Sequence, residues 1–232
     1  MTGRSPLSGA ALRDALKIPH VEDGMAVGLF GGSFNPPHGG HRHVALTALQ
    51  RLQLDRLWWL VSPGNPLKQN HGLPSLKERI ARSRTLINHP RIDVTGCEAV
   101  MKTKYSADLV SHLARRFPAV RFVWIMGADN LTNFHRWERW QDIARNVPIC
   151  IVDRPGDTLA TRSSRAAKKF MYARLDESDA RLLKYCAAPA WTFIHGPKMA
   201  LSSTVLRERA NGPLANLNNV RDEGEENGTS GR

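Results

Sequence analysis

The sequence predicts an α/β fold in which a doubly wound parallel sheet carries helices on both faces. Three observations carry that prediction. Strand-like apolar runs alternate with helix-like runs from Met25 to the region of Ala210, the order produced when parallel strands are joined by helical crossovers. The stretches Gly31 to His41, Ser62 to Lys68 and Gly127 to Asn130 each follow a strand-like run, and doubly wound sheets bind ligands at the carboxyl ends of their strands. With 232 residues, 41% of them hydrophobic and 23% charged, the chain has material for one well-packed domain with tails.

Residues 1–24 read as a polar N-terminal extension, with Gly3, Pro6, Gly9 and Pro19 and a short helix at Ala10 to Lys17, ahead of a domain spanning 25–211. The domain opens with a strand from Met25 to Gly31, a helix from His38 to Leu52 and a strand from Arg56 to Ser62. A loop through Pro63, Gly64, Pro66 and Pro74 leads to a helix from Ser75 to Asn88. After His89-Pro90 come a short strand, Arg91 to Thr95, a helix from Tyr105 to Phe117, and the strongest strand, Val120 to Met126, which ends at Gly127. Helical segments around Asn130 and from Trp137 to Arg145 precede a strand at Val147 to Val152 and a turn at Asp153 to Asp157. Thr158 to Ala188 reads as helical and polar, Trp191 to His195 as the last strand, and Ser202 to Ala210 as the final helix. Asn, Gly, Glu and Asp dominate from Gly212 onward, so residues 212–232 are expected to form a disordered polar tail.

No run approaches the ~18 apolar residues that a membrane span needs, and residues 1–24 lack the apolar core of a secretory signal. A cytoplasmic protein is expected. Cys97, Cys150 and Cys186 are widely spaced and odd in number, which predicts buried thiols and no disulfide. The formal charge of +12 and pI near 10.3 call for anionic partners, whether polynucleotide, membrane surface or phosphorylated small molecules. The densest basic cluster, Arg162, Arg165, Lys168, Lys169 and Arg174, includes Phe170 and Tyr172. It reads either as a solvated helix face or as a nucleic-acid contact. Neither GxxxxGK[ST] nor GxGxxG occurs, so a P-loop nucleoside triphosphatase and an ordinary dinucleotide-binding dehydrogenase both lose their usual phosphate-binding device.

The chemistry concentrates in GGSFNPPHGGH, Gly31 to His41. Two glycines allow close backbone approach, Pro36 and Pro37 stiffen the bend, and His38 and His41, three apart, share one face at a helix N-terminus. Such a helix start attracts phosphate, and the histidines can donate hydrogen bonds to phosphoryl oxygens as charge develops. The other readings are a pair of histidines satisfied at a helix start, and a metal site, for which HxxH lacks a third ligand nearby. LSSTVLRER supplies a second signal. Ser202, Ser203 and Thr204 are natural N-caps, but the acid of a capping box is missing, and Arg207 and Lys198 put positive charge near a helix end that is already positive. A bound anion would remove that conflict.

Gly32, Phe34, Pro36, His38, Gly40 and His41 match GxFxPxHxGH, and Ser202, Ser203, Thr204 and Arg207 match SSTxxR. In both motifs the chain resembles the nucleotidylyltransferase superfamily, and two signatures about 160 residues apart in the right order are more specific than either alone. Within it the likeness is to the bacterial nicotinate-nucleotide adenylyltransferase family. GADN followed by Trp137 looks like that family's GADxLxxxxxW segment, SPGNPLK like its proline-rich loop, and TKYSADL like its TYTxxTL pattern, from which Ser106, Asp108 and Leu109 depart.

The resemblance implies a Rossmann-like sheet and adenylyl transfer from ATP to nicotinate mononucleotide. It implies that His38, His41, Lys68 and Arg207 act in catalysis. Gly31, Gly32, Ser33 and Phe34 would then line the ATP site with the histidines. Gly127 and Asp129 would meet the adenosine ribose, and Ser202, Ser203, Thr204 and Arg207 the leaving phosphates. On the acceptor side it implies Ser33, Lys68 for the mononucleotide phosphate, Arg79, Tyr105 and Ser106, with Trp137 stacking on the pyridine ring. Read alone, Trp137 is a core tryptophan, and Lys68 or Arg79 a snorkelling surface cation. Mg²⁺ is expected to arrive with ATP, since no dedicated carboxylate cluster is evident. The expected partners are these two small molecules, without nucleic acid or membrane.

Overall fold

The computed structural model describes residues 8–64, 73–101, 103, 105–153 and 164–196. Its centre is β1, Ala26–Gly32, a run with apolar side chains pointing both ways: Val27 and Leu29 enter one core, Ala26 and Phe30 the other. Strands shielded on both faces are the mark of a parallel sheet. β2 (Arg56–Val61), β3 (Ile92–Thr95), β4 (Arg121–Gly127), β5 (Ile149–Val152) and β6 (Trp191–Ile194) complete six strands in the order β3-β2-β1-β4-β5-β6. Every pairing is parallel. The chain winds outward from β1 to β3, crosses back, and winds the other way from β4 to β6. This is the Rossmann-like doubly wound sheet expected of the alternating pattern, and its switch point lies between β1 and β4.

The helices divide between the two faces. Ala15 of α1 (Gly9–Ala15), Val44, Ala45, Ala48 and Leu49 of α2 (Gly39–Arg51), and Ile80 and Ile87 of α3 (Leu76–Ile87) pack with Phe30, Trp59 and Ile125. On the opposite face α4 (Ser106–Arg116), α5 (Ala128–Phe134), α6 (Trp140–Asn146) and α7 (Arg165–Lys169) cover Leu29, Trp58 and Trp124. As a crossover between parallel strands, each of α2, α3 and α4 begins at the strands' carboxyl ends. α3 starts at a complete capping box: Ser75 Oγ accepts from the Glu78 N–H while Glu78 accepts from the Ser75 N–H.

The N-terminal extension contains the short helix α1, which is tied to the sheet: the Ala15 carbonyl accepts from the Gly96 N–H at 2.8 Å and Ala15 is 1% exposed. Two stretches differ from the sequence expectation. The Trp137 to Arg145 helix begins only at Trp140, since Arg139 takes a left-handed φ of +48° and pairs with Asp108 of α4. Trp137 therefore lies in the link between α5 and α6. The helical reading of Thr158 to Ala188 is also corrected over residues 164–188. After α7 the Leu175 N–H donates to the Trp191 carbonyl at 2.8 Å along the edge of β6, and Asp176 then caps a 3-10 helix, Glu177–Tyr185. The final helix at Ser202 to Ala210 and the 212–232 tail lie outside the described residues. Among the described residues no helix is long and apolar enough to cross a membrane.

Candidate functional site at the switch point

The carboxyl ends of β1 and β4 face each other across the switch point. The register Phe30↔Ile125 brings Gly32 and Gly127 level two residues further on. At Gly31 a Cβ would stand 2.8 Å from the Trp124 indole, so only glycine lets β1 lie this close to β4's tryptophan. Phe34 turns the chain at a left-handed φ of +46°, a conformation that strains a bulky residue. Its ring, 2% exposed, is anchored between Trp59 (centroids 4.4 Å apart), Phe30 (5.4 Å) and His41 (5.0 Å). That packing holds the strained turn. It also turns the Phe34 ring into the core, so Phe34 has only its backbone to offer ATP.

The chain then reaches His38, the N-cap of α2. The Gly40 N–H donates to His38 Nδ1 at 3.1 Å, and the His38 N–H donates to His41 Nδ1 at 3.3 Å. The two histidines form a capping box in place of the usual Ser and Glu. With Nδ1 an acceptor in both rings, the neutral imidazoles carry their proton on Nε2. The rings lie 3.8 Å apart, tilted by 34°, with His38 buried and His41 half-buried. With each Nδ1 engaged in a cap, each ring's N–H is at Nε2, at the positive end of α2. A pair of histidines satisfied at a helix start is one of the sequence readings, and the capping box is how they are satisfied. The signal was the N-cap to N3 spacing of HxxH at a helix start.

Gly127 is the N-cap of α5, and Asp129 lies in its first turn. Tyr105 is the N-cap of α4 with Ser106 its first residue, both half-buried. Trp137 is half-buried, with its ring 6.3 Å from Trp124 and 5.4 Å from Phe134, so it belongs to an aromatic cluster beneath the α5–α6 link. Arg79 differs from a surface cation. It is 1% exposed and donates from Nε to the Pro74 carbonyl (3.0 Å), from Nη1 to Ser33 (2.8 Å) and Ser62 (2.7 Å), and from Nη2 to Pro63 (2.9 Å). Burial pulls its pKa below the ordinary guanidinium value, yet an arginine stays charged. Lys68, Ser202, Ser203, Thr204 and Arg207 lie outside the described residues.

Asp153, one residue past β5, is 5% exposed at the same end of the sheet, where the sequence suggested only a turn. Cys97 and Cys150 are buried in separate cores, and burial raises both thiols, Cys97 to about 11. Neither is a nucleophile at neutral pH. The arrangement instead suits stabilising an anion between imidazole N–H donors and a helix start.

A family model described as cytidylyltransferase-like matches residues 29–209. Over 190 residues the chain is 55% identical to the "probable nicotinate-nucleotide adenylyltransferase" of Rhizobium johnstonii, covering 82% of this chain and 96% of that one. It is 55% identical over 195 residues to the protein of the same name from Mesorhizobium japonicum, covering 84% and 100%. Among solved structures, Plasmodium falciparum nicotinic acid mononucleotide adenylyltransferase complexed with NaAD superposes with a TM-score of 0.61 at 17% identity, covering 79% of this chain and 83% of that one. That likeness is one of fold.

Proposed function

Because the chain belongs to the cytidylyltransferase-like family and, within it, groups with the nicotinate-nucleotide adenylyltransferases, we propose that it transfers the adenylyl group of ATP to nicotinate mononucleotide. The products are nicotinate adenine dinucleotide and pyrophosphate, a step of NAD synthesis. The observation that carries this reading to the site is the pair of mutually capped histidines at the switch point.

An oxygen of the acceptor's phosphate attacks the α-phosphorus of ATP in line, forming the new P–O–P bond as the bond to the β-phosphate oxygen breaks. That oxygen is already anionic at neutral pH, so no general base is needed. Catalysis reduces to holding two anions together against their repulsion and stabilising the charge that builds on the equatorial oxygens. His38 and His41 supply Nε2–H donors at the start of α2 without adding protons of their own. By the family's motifs, Lys68 takes the acceptor phosphate, and Ser202, Ser203, Thr204 and Arg207 take the leaving pyrophosphate. Asp129 is assigned to the ribose and Trp137 to the pyridine ring, with Tyr105 and Ser106 beside it. Mg²⁺ would arrive bound to ATP, where it would offset part of the charge on the phosphates. With both substrates small phosphorylated molecules, the cytoplasm is the compartment this reading implies.

The test is pyrophosphate release from ATP and Mg²⁺ with nicotinate mononucleotide and nicotinamide mononucleotide offered separately at equal concentration. Preference for the acid is expected. Preference for the amide keeps the reaction and overturns the acceptor, and release with neither overturns the reading.

A further inference from the structure

We propose that Arg79 is a positioning residue for adenylyl transfer: its buried guanidinium ties the ends of β1 and β2 to the start of α3 and so sets the geometry of the histidine loop. The proposal deepens the adenylyl-transfer reading and relies on it for its kinetic arm only. It replaces the substrate contact that the family resemblance suggests for this residue.

The bonding leaves little of Arg79 for a substrate. Four of its N–H groups go to main-chain carbonyls, out of the five a guanidinium has, and the residue is 1% exposed. No carboxylate pairs with it among the described residues. A buried cation that the described residues hold through carbonyls is an expensive choice for a helix position that an apolar residue would fill. What it accomplishes is visible in which carbonyls it holds.

The parallel ladder of β1 and β2 ends at Gly32↔Val61, with one further rung from the Ser62 N–H to the Gly32 carbonyl. Beyond it the ladder ends, β1 running on to Ser33 and the histidine loop and β2 to Ser62 and Pro63. Nη1 bridges the Ser33 and Ser62 carbonyls there, serving as a last rung supplied by a side chain. Nη2 holds Pro63, the next residue of the second loop, and Nε holds Pro74 where α3 begins. One planar fork thus fixes the departure angles of both loops. Ser33 directly precedes Phe34, whose left-handed turn delivers His38 to the N-cap of α2. A turn of that kind persists only where its surroundings over-determine it. Phe34 is held on one side by ring packing, and Arg79 holds the residue before it on the other.

Lysine at this position keeps the charge but presents one nitrogen, which cannot span carbonyls arrayed around a fork. Methionine keeps the bulk of the stem and loses every donor. Arg79→Met and Arg79→Lys should therefore be compared with the wild-type full chain in two ways. The first is steady-state kinetics per folded molecule. Displacing reacting groups by about 1 Å costs about 10²-fold, so Arg79→Met is expected to lose about 10²-fold in kcat, with both KM values within about threefold, and Arg79→Lys to regain part of that loss. The second is the ¹⁵N spectrum of the histidine imidazoles, which needs no activity. Wild type should show His38 and His41 as Nε2–H tautomers, and the folded variant should show that pattern lost or mixed. Should Arg79→Met not fold, Arg79→Lys carries both measurements.

A variant whose acceptor KM rises alone makes Arg79 a substrate contact and overturns the proposal. An unchanged imidazole pattern in a folded variant, or a lowered melting temperature with unchanged kcat, overturns it as well. A wild type without adenylyl transfer defeats the functional reading instead, and the imidazole pattern still decides the role of Arg79.

Discussion

His41 lies at the junction of two demands, accepting the His38 N–H through Nδ1 while resting its ring against Phe34 and His38. Both demands leave Nε2 as the proton-bearing nitrogen. In the proposed role that donor strengthens its bond as charge develops in the transition state, so His41→Ala should lower kcat by about 10²–10³-fold, the usual cost of removing one such donor, while the ATP KM changes little. Loss of its share in the cap should cost about 1 kcal/mol of stability, a separate and smaller effect. Unchanged turnover in a folded variant would remove His41 from catalysis. Glu98 makes a different residue-level case. It sits in the 3-10 turn after β3, 7% exposed, and burial raises its pKa from 4.5 to about 7. Across that interval the folded chain binds the proton more tightly than the unfolded chain, so stability falls as pH rises from about 4.5 to about 7 and stays low above it. The full effect is at most about 3 kcal/mol. Glu98→Gln should therefore raise the melting temperature by several degrees at pH 8 and barely move it at pH 5. Equal shifts at the two pH values would show that ionisation of Glu98 is not the cause.

At the scale of elements, the strands were legible because most are short apolar runs bounded by a breaker, and burial on both faces keeps interior polar side chains few, as with Asp93 and Thr95 in β3 and Thr192 in β6. The start of α3 was likewise expected at Ser75, although its capping partner Glu78 emerged only with the structure. Elements whose form depends on a distant partner were not legible. Nothing local to Arg174 and Leu175 says that they lie along the edge of β6, and nothing in Trp137 to Arg145 says that Arg139 leaves the helix to meet Asp108 on α4. That pair links the start of α4, with Tyr105 and Ser106, to the segment carrying Trp137. It therefore bears on how the proposed pyridine pocket is assembled. Trp137 is half-buried with two aromatic edges against it, which leaves a ring available for stacking without making it a core residue outright. Trp137→Phe should keep the cluster, whereas Trp137→Ala should raise the acceptor KM about tenfold, the upper worth of one stacking pair, with the ATP KM within about twofold. Parallel losses for both substrates, or unfolding, would return Trp137 to the core.

For the molecule as a whole, the strand order was the least legible feature. Alternation predicts a doubly wound parallel sheet but not where its winding reverses, and the reversal between β3 and β4, which creates the switch point, leaves no local mark in the sequence. The histidine loop was found by its motif, and its place in the crevice came with the topology. Net charge also acts at this scale. The chain carries +12 and is proposed to bring two anions together, so its field should assist capture of both substrates over distances where no single residue touches them. Screening shortens that reach from about 10 Å at 0.1 M salt to about 3 Å at 1 M, while contacts inside a partly buried site are screened far less. Capture and chemistry should then separate. Raising salt at constant free Mg²⁺ should lower kcat/KM several-fold while kcat holds within about twofold. Replacing Lys168 and Lys169 by Glu, both exposed on α7, should lower kcat/KM at low salt and lose that effect at high salt. If kcat/KM is flat across the salt range, substrate capture is governed by contacts within the crevice alone, and the basic surface needs a different anionic partner.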